Sequence, residues 1–335
     1  MSWSIFPWRK RAVLYVHFPC FDGVISGVLA TLSLEESRGW NFKTIRPVNY
    51  GLQKEWLNTR LPRHSAVVDF LYHPQAEFWA DHHPTSFLTK ELQADFETRK
   101  DPYRIYDRLS GSCASLLWRT VGEPFHADQR LEEMVRWAEK IDSAAYDSVE
   151  EAFSMGHPAL VLNKSLAVEA DSEYCRFLIT TLRTASLEDT VQMEEVQERF
   201  VRARDRSLLG LERARQAVRL VDDVAVLDVQ NDDVEDEGVL ISRYSPYYFY
   251  RQARYSIMIA RSAGGSKITA MRNPWLHFES IELGQFMRQF GGGGHQRVGS
   301  VILQKERVGE AAKIVAQLLK EMTSHHESDV KARLG

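Results

Sequence analysis

Cysteine is scarce in this chain, long apolar runs are missing, and basic charge is not in surplus. The three cysteines among 335 residues, Cys20, Cys113 and Cys175, are odd in number and widely spaced. That pattern excludes a disulfide scaffold and fits a reducing compartment. No run of about 18 apolar residues occurs, so no membrane-spanning helix and no membrane partner are expected. The opening MSWSIFPWRKR holds too short an apolar segment for a signal peptide, which makes the cytoplasm the expected location. A net charge of −4 gives no general pull toward nucleic acid. Any polyanion must then be met locally, at a metal or a basic pocket. Repeats and low-complexity tracts are also missing, and the acidic run from Asp232 to Glu237 reads as a solvated loop.

With 44% hydrophobic and 26% charged residues, the composition is that of a globular protein, and the length exceeds what one core usually fills. An apolar, β-branched run from Ala12 to Val16 ends at His17, and a helix is expected over Val24 to Leu34 after the turn at Asp22-Gly23. Strand, turn and helix in that order open an α/β sheet, whose ligands collect at the carboxyl ends of the strands. Ala66 to Val68 ends in Asp69, and Phe78 to Ala80 ends in Asp81. Three strand tips would thus deliver polar residues to one sheet edge. Helices are expected over Gly111 to Val121 and Leu131 to Ile141, the second ending at Asp142.

From Leu187 to Leu220 the charged, glycine-poor pattern predicts one long spacer helix. Beyond it, strands are expected over Val224 to Val229, Val239 to Ser242, Tyr255 to Ala260, Lys267 to Arg272 and Ser300 to Leu303. Helices are expected near Phe278 to Gln289 and Val308 to Met322. The fold class is therefore α/β in two lobes: a parallel-sheet domain over 1–186, a linker helix over 187–220 and a smaller α/β domain over 221–330.

Two motifs carry the chemistry. Asp81-His82-His83 supplies a carboxylate and two imidazoles, the donors that divalent transition metals prefer. Gly291 to Gly294 run into His295, so backbone amides can approach an anion closely beside an imidazole. A metal cluster and an anion cradle together point to phosphate-ester chemistry. His17, Asp22, Asp69 and Asp142 add the further nitrogen and oxygen donors that a site for two divalent ions needs, with Asp69 suited to bridge them. The consecutive aromatics Tyr247 to Tyr250 read as packing residues, and His157 and Asn163 as loop or cap residues.

Five segments in order, VHFPCFDGVISG at 16–27, VVDF at 67–70, ADHHP at 80–84, EKIDS at 139–143 and GGGGHQRVGS at 291–300, resemble the DHH phosphoesterase superfamily. Within it, the branch with a C-terminal DHHA1 domain is the one they match. The resemblance implies two Mn²⁺ ions: one held by His17 and Asp69, the other by Asp22, Asp69, His82 and Asp142. Many similar proteins carry an aspartate where Cys20 stands here; as a ligand, its thiolate would favour softer ions such as Zn²⁺ or Fe²⁺, and the alternative is a small buried residue packed beside the site. The resemblance further implies that Asp81 orients the histidines and that His83 meets the scissile phosphate and acts as a general acid. In the second lobe it implies that Arg272, Gly292, Gly293, Gly294 and His295 hold a substrate phosphate or nucleotide. Arg297 departs from the small residue usual at its position and is expected to face solvent.

The expected activity is hydrolysis of short oligonucleotides or dinucleotides by metal-activated water. An exopolyphosphatase or small-nucleotide phosphatase with the same site, and a catalytically weak nucleotide-binding module, are the alternatives. The sequence leaves room for a homo-oligomer and does not specify one.

Overall fold

The computed structural model describes residues 9–168, 171–230, 238–262, 265–294 and 296–334. The acidic run at 232–237 and His295 lie outside the described residues. Two units emerge, Met1–Tyr146 with Met155–Arg202 and Asp147–Ser154 with Ala203–Gly335.

In the first unit the chain runs β1 (Lys10–His17), α1 (Phe21–Arg38), β2 (Trp40–Val48), β3 (Ser65–Val68), β4 (Phe78–Asp81), α2 (Lys90–Arg99), β5 (Arg104–Tyr106), α3 (Cys113–Val121) and α4 (Gln129–Asp142). After α5 (Val149–Phe153), which belongs to the second unit, come α6 (Pro158–Ser165), α7 (Ser172–Leu182), α8 (Leu187–Val191) and α9 (Glu194–Ala217), the last belonging to the second unit from Ala203 on. The five strands form a parallel sheet in the order β2-β1-β3-β4-β5.

Side-chain alternation along β1 explains how the sheet is covered on both faces. Ala12, Leu14 and Val16 join a core with α1, α3, α4 and α7, whereas Tyr15 joins Val67, Trp79, Trp56 and Phe70 on the opposite face. Helix α1 is buried along most of its length, from Phe21 to Leu34. A Cβ on Gly27 would stand 2.7 Å from Ile179 Cδ1 of α7, so its lack of a side chain sets the approach of the two helices. Each large apolar side chain buried here contributes roughly 1.5–3 kcal/mol.

The second unit continues through β6 (Val218–Val221), β7 (Val224–Asp228), α10 (Ser245–Phe249), β8 (Tyr255–Ser262), β9 (Gly265–Arg272), α11 (Leu283–Arg288), β10 (Gly293–Gly294), β11 (Val298–Gln304) and α12 (Ala311–Leu334). Its sheet has the order β10-β11-β9-β8-β7-β6, parallel between β7 and β8 and antiparallel elsewhere. The α/β class expected from the sequence, a parallel sheet followed by a smaller sheet domain, is the class observed.

Three expected elements differ. The single helix over 187–220 is interrupted between α8 and α9, and its end, Val218–Val221, pairs with β7, as suits β-branched residues. Val239 to Ser242 forms no strand; Leu240 N–H donates to Arg206 O at 3.1 Å, so this apolar run lies along α9. The helix expected over 278–289 shortens to α11, because Ile281 N–H donates to the Tyr255 hydroxyl at 3.1 Å and leaves the preceding residues irregular. Among the described residues no helix is long and apolar enough to cross a membrane.

Candidate active site

The carboxyl ends of β1, β3 and β4 lie side by side in the first unit, and their last residues or next neighbours are His17, Asp69 and Asp81. The turn after His17 leads into α1 with Cys20 as its N-cap and Asp22 in its first turn. Asp22 is fully buried, and its carboxylate accepts from the amides of Cys113 at 2.7 Å and Ala114 at 2.8 Å. Those amides open α3 and have no partner within that helix, so the helix end stabilises the negative charge in place. Asp142 arrives as the last residue of α4.

Asp69 sits at φ 56°, the left-handed region that aspartate and asparagine tolerate better than most residues. Its Oδ2 lies 3.2 Å from His17 Nδ1. The Nε2 of His82 stands 3.3 Å from Asp142 Oδ2, 3.7 Å from Asp22 Oδ2 and 3.8 Å from Asp69 Oδ1. His82 Nδ1 is 3.1 Å from the carbonyl of Ser110 and so must donate, which turns Nε2 toward the three carboxylates. His83 Nδ1 lies 2.8 Å from Asp81 Oδ1. Asp81 also accepts from the His82 amide at 2.8 Å and from Ser86 Oγ at 2.5 Å. With both its oxygens engaged, Asp81 holds the His83 ring and the backbone amide of His82.

Three donor groups come within 4.8 Å: His17 with Cys20 and Asp69; Asp22 with His82 and Asp142; and Asp69 with Asp81, His82 and His83. His82 Nε2 and Asp69 Oδ1 are buried without a hydrogen-bond partner. Buried carboxylates at this density and orphaned donor atoms aimed among them are costly unless a cation offsets the charge. The donor set therefore fits divalent ions.

The electrostatics agree with that reading. Burial, followed by the charges of Asp22, Asp81 and Asp142, holds the Asp69 carboxyl well above its usual range. Burial and then His83 push His17 down to about 4, so its imidazole is neutral and ligand-ready at pH 7. Burial followed by Asp69, Asp22 and Asp142 pushes the Cys20 thiol well up. Burial works to lower His83, but the Asp81 hydrogen bond and the charges of Asp81, Asp142 and Asp22 outweigh it and leave the group raised.

Sequence reading missed Tyr50. It lies two residues beyond the end of β2, on the edge that carries His17, and its ring meets His17 at 5.2 Å, Phe70 at 5.5 Å and His83 at 6.3 Å between centroids. Recognising β2 as a strand of the same sheet was the signal that could have found it.

In the second unit, three of the four glycines have a steric reason, Gly291 through its left-handed φ of 84°. A Cβ on Gly292 would stand 2.2 Å from Ser300 O, and one on Gly294, at φ 139°, would stand 2.2 Å from Val298 O. One on Gly293 would meet nothing within 4 Å. Arg272 donates to Phe278 O at 2.8 Å and lies 4.4 Å from the Phe278 ring centroid; burial and then Arg297 lower its pKa. Arg297 itself is exposed. Tyr247 is buried, with its hydroxyl donating to Met271 O at 2.6 Å, whereas Tyr248 is exposed against Phe153. His157 caps α6 and stacks on Trp137, with 4.0 Å between ring centroids.

This architecture, a parallel sheet with donor side chains at its carboxyl edge and a separate mixed-sheet unit, is shared with a solved DHH-domain structure, at a TM-score of 0.55 and 12% identity. Among solved structures the chain is similar to the pGpG-specific phosphodiesterase PggH of Vibrio cholerae, with a TM-score of 0.70, 18% identity and coverage of 93% of this chain and 99% of that one. It also resembles an exopolyphosphatase-related protein of Bacteroides fragilis, with a TM-score of 0.51, 11% identity and coverage of 93% and 92%. A structure of exonuclease RecJ bound to manganese aligns with a TM-score of 0.51 and 14% identity over 93% of this chain and 90% of that one. No protein-family model matches the sequence, and no curated protein matches it.

Proposed function

We propose that this chain is a metal-dependent phosphoesterase that hydrolyses the phosphodiester bonds of short oligonucleotides or dinucleotides. The observation that carries the reading is the pair of donor sets, His17 with Cys20 and Asp69, and Asp22 with His82 and Asp142, gathered at one sheet edge beside His83. The shared fold with a pGpG phosphodiesterase, an exopolyphosphatase-related protein and a manganese-bound exonuclease supports it.

One ion would be held by His17, Cys20 and Asp69, and the other by Asp22, Asp69, His82 and Asp142. Bound there, divalent ions supply positive charge for the phosphoryl oxygens and raise the acidity of the attacking water. The chain's own groups do the rest. Asp81 fixes the ring of His83 through Nδ1, and His83 gives its Nε2 proton to the departing ester oxygen as the bond from water to phosphorus forms. Asp22, braced by the first amides of α3, holds its carboxylate in place before any ion arrives. Arg272 and the glycine run with His295 are assigned to binding a substrate phosphate or nucleoside.

Turnover with Mn²⁺ on pApA, pGpG, cyclic dinucleotides, a labelled oligonucleotide and polyphosphate tests the reading. Mononucleotides released from the short linear substrates are the expected result. Orthophosphate released from polyphosphate alone would move the substrate class, and silence across the panel would overturn the proposal.

Two substitutions probe the parts. Cys20→Asp replaces a soft donor with a hard one, so metal content after growth in mixed ions should move from zinc-type ions toward Mn²⁺. Co²⁺-loaded wild type should show a near-ultraviolet thiolate-to-metal band that the variant lacks. Unchanged content and no such band would return Cys20 to packing. Gly293→Ala adds a methyl into open space at a backbone angle any residue adopts, so the melting temperature should stay within about 1 °C. Its KM should rise several-fold if the glycine run contacts substrate, and an unchanged KM would remove Gly293 from the binding set.

A further inference from the structure

Tyr50 stands at the rim of the metal-type cluster with no role in it as a ligand. The residue follows β2, whose last residue Val48 is in register with His17, and Asn49 caps the short turn by accepting from the Gly51 amide at 2.9 Å. That places the phenol on the edge to which β1, β3 and β4 already deliver donors. Its ring packs against two imidazoles of different motifs, His17 and His83, in edge-on geometry. Phe70, which follows the Asp69 tip, backs it from a third side.

Two observations separate Tyr50 from a packing residue. It keeps 38% of its surface exposed, in a region where the tyrosines packed beneath the sheet, Tyr15 and Tyr72, keep 2% and none. Its hydroxyl also makes no hydrogen bond among the described residues, whereas the buried Tyr72 donates to Asp95 at 2.8 Å. A phenol beside buried carboxylates, yet hydrogen-bonded to none of them, has a donor left for a group that enters the site.

We propose that Tyr50 is a substrate-contacting residue whose hydroxyl donates a hydrogen bond to a phosphoryl oxygen of the ester held beside His83. The assignment rests on the phosphoesterase reading above. A donor aimed at an oxygen that gains charge as water attacks phosphorus acts mainly in the transition state.

The test is steady-state kinetics and metal content of Tyr50→Phe and Tyr50→Leu beside wild type, on whichever linear dinucleotide wild type cleaves. Tyr50→Phe keeps the ring, so bound Mn²⁺ and melting temperature should match wild type, with KM within about threefold and kcat down about 10- to 100-fold. Tyr50→Leu also removes the ring contacts to both imidazoles and should bind Mn²⁺ more weakly as well. If wild type is active and Tyr50→Phe equals it in kcat, the hydroxyl has no substrate contact and this proposal alone fails. A loss in Tyr50→Phe that tracks lost metal would also overturn it, by making Tyr50 a support for the ligands. Wild type silent on every substrate would overturn the phosphoesterase reading and this assignment with it.

Discussion

Asp69→Asn is expected to lower turnover by more than about a thousandfold while leaving the metal-free protein more stable than wild type. Asn is the informative replacement. Asp69 lies at φ 56°, where an alanine would add roughly 1 kcal/mol of backbone strain that asparagine largely avoids, so Asp69→Ala confounds a lost ligand with a strained turn. The stability half follows from linkage. In the unfolded chain the carboxyl ionises at its ordinary value, near 4, whereas in the folded chain burial and then Asp22, Asp81 and Asp142 keep it protonated to higher pH. The folded state thus binds more protons above the ordinary carboxylate range, and stability falls as pH rises toward the folded pKa. An amide carries no such penalty. In chelator at pH 8 the variant should melt a few degrees above wild type; on adding Mn²⁺, wild type should gain and the variant should not. A variant that melts lower in chelator would refute the crowding argument, and one with near wild-type turnover would end the shared-ligand assignment.

Gly23→Ala is the second large effect, and it replaces no proposed ligand. A Cβ there would stand 2.0 Å from the His17 carbonyl oxygen and 3.2 Å from Asp69 Oδ2. Backbone cannot swing aside as a side chain can, so the turn joining β1 to α1 must open. The expected cost is more than about 3 kcal/mol, with activity and metal content falling together. Gly27→Ala in the same helix is the control, because its methyl meets the flexible tip of Ile179, and it should cost clearly less. Denaturant unfolding of both variants decides the matter; equal, small losses would mean that the turn accommodates the methyl and that Gly23 is incidental.

How legible the sheet edge was depended on composition. β3 and β4 are short apolar runs that stop at an aspartate, and β1 ends at a histidine, so strand and tip could be read together. β2 could not be read in that way: WNFKTIRPV mixes Lys43, Arg46 and Pro47 into its alternation. At the edge of the sheet its burial is only partial, and with it went Tyr50, which belongs to no motif. The charged pattern from 187 to 220 looked uniform because helix propensity does not report the pairing that turned Val218–Val221 into β6. Nor could spacing tell that Gly292 and Gly294 answer to β11 in their own hairpin, which is a contact made through the backbone.

Asp142 is the final residue of α4, a helix capped at its start by Asp128. That makes the helix a ruler. Each residue of an α-helix advances about 1.5 Å and turns about 100°, so removing one residue between Asp128 and Asp142 would swing the carboxylate away from His82 Nε2 even with every side chain at the site intact. Length, here, is as much a part of the site as chemistry: the fourteen residues of α4 carry a distance and an angle as well as a proposed ligand.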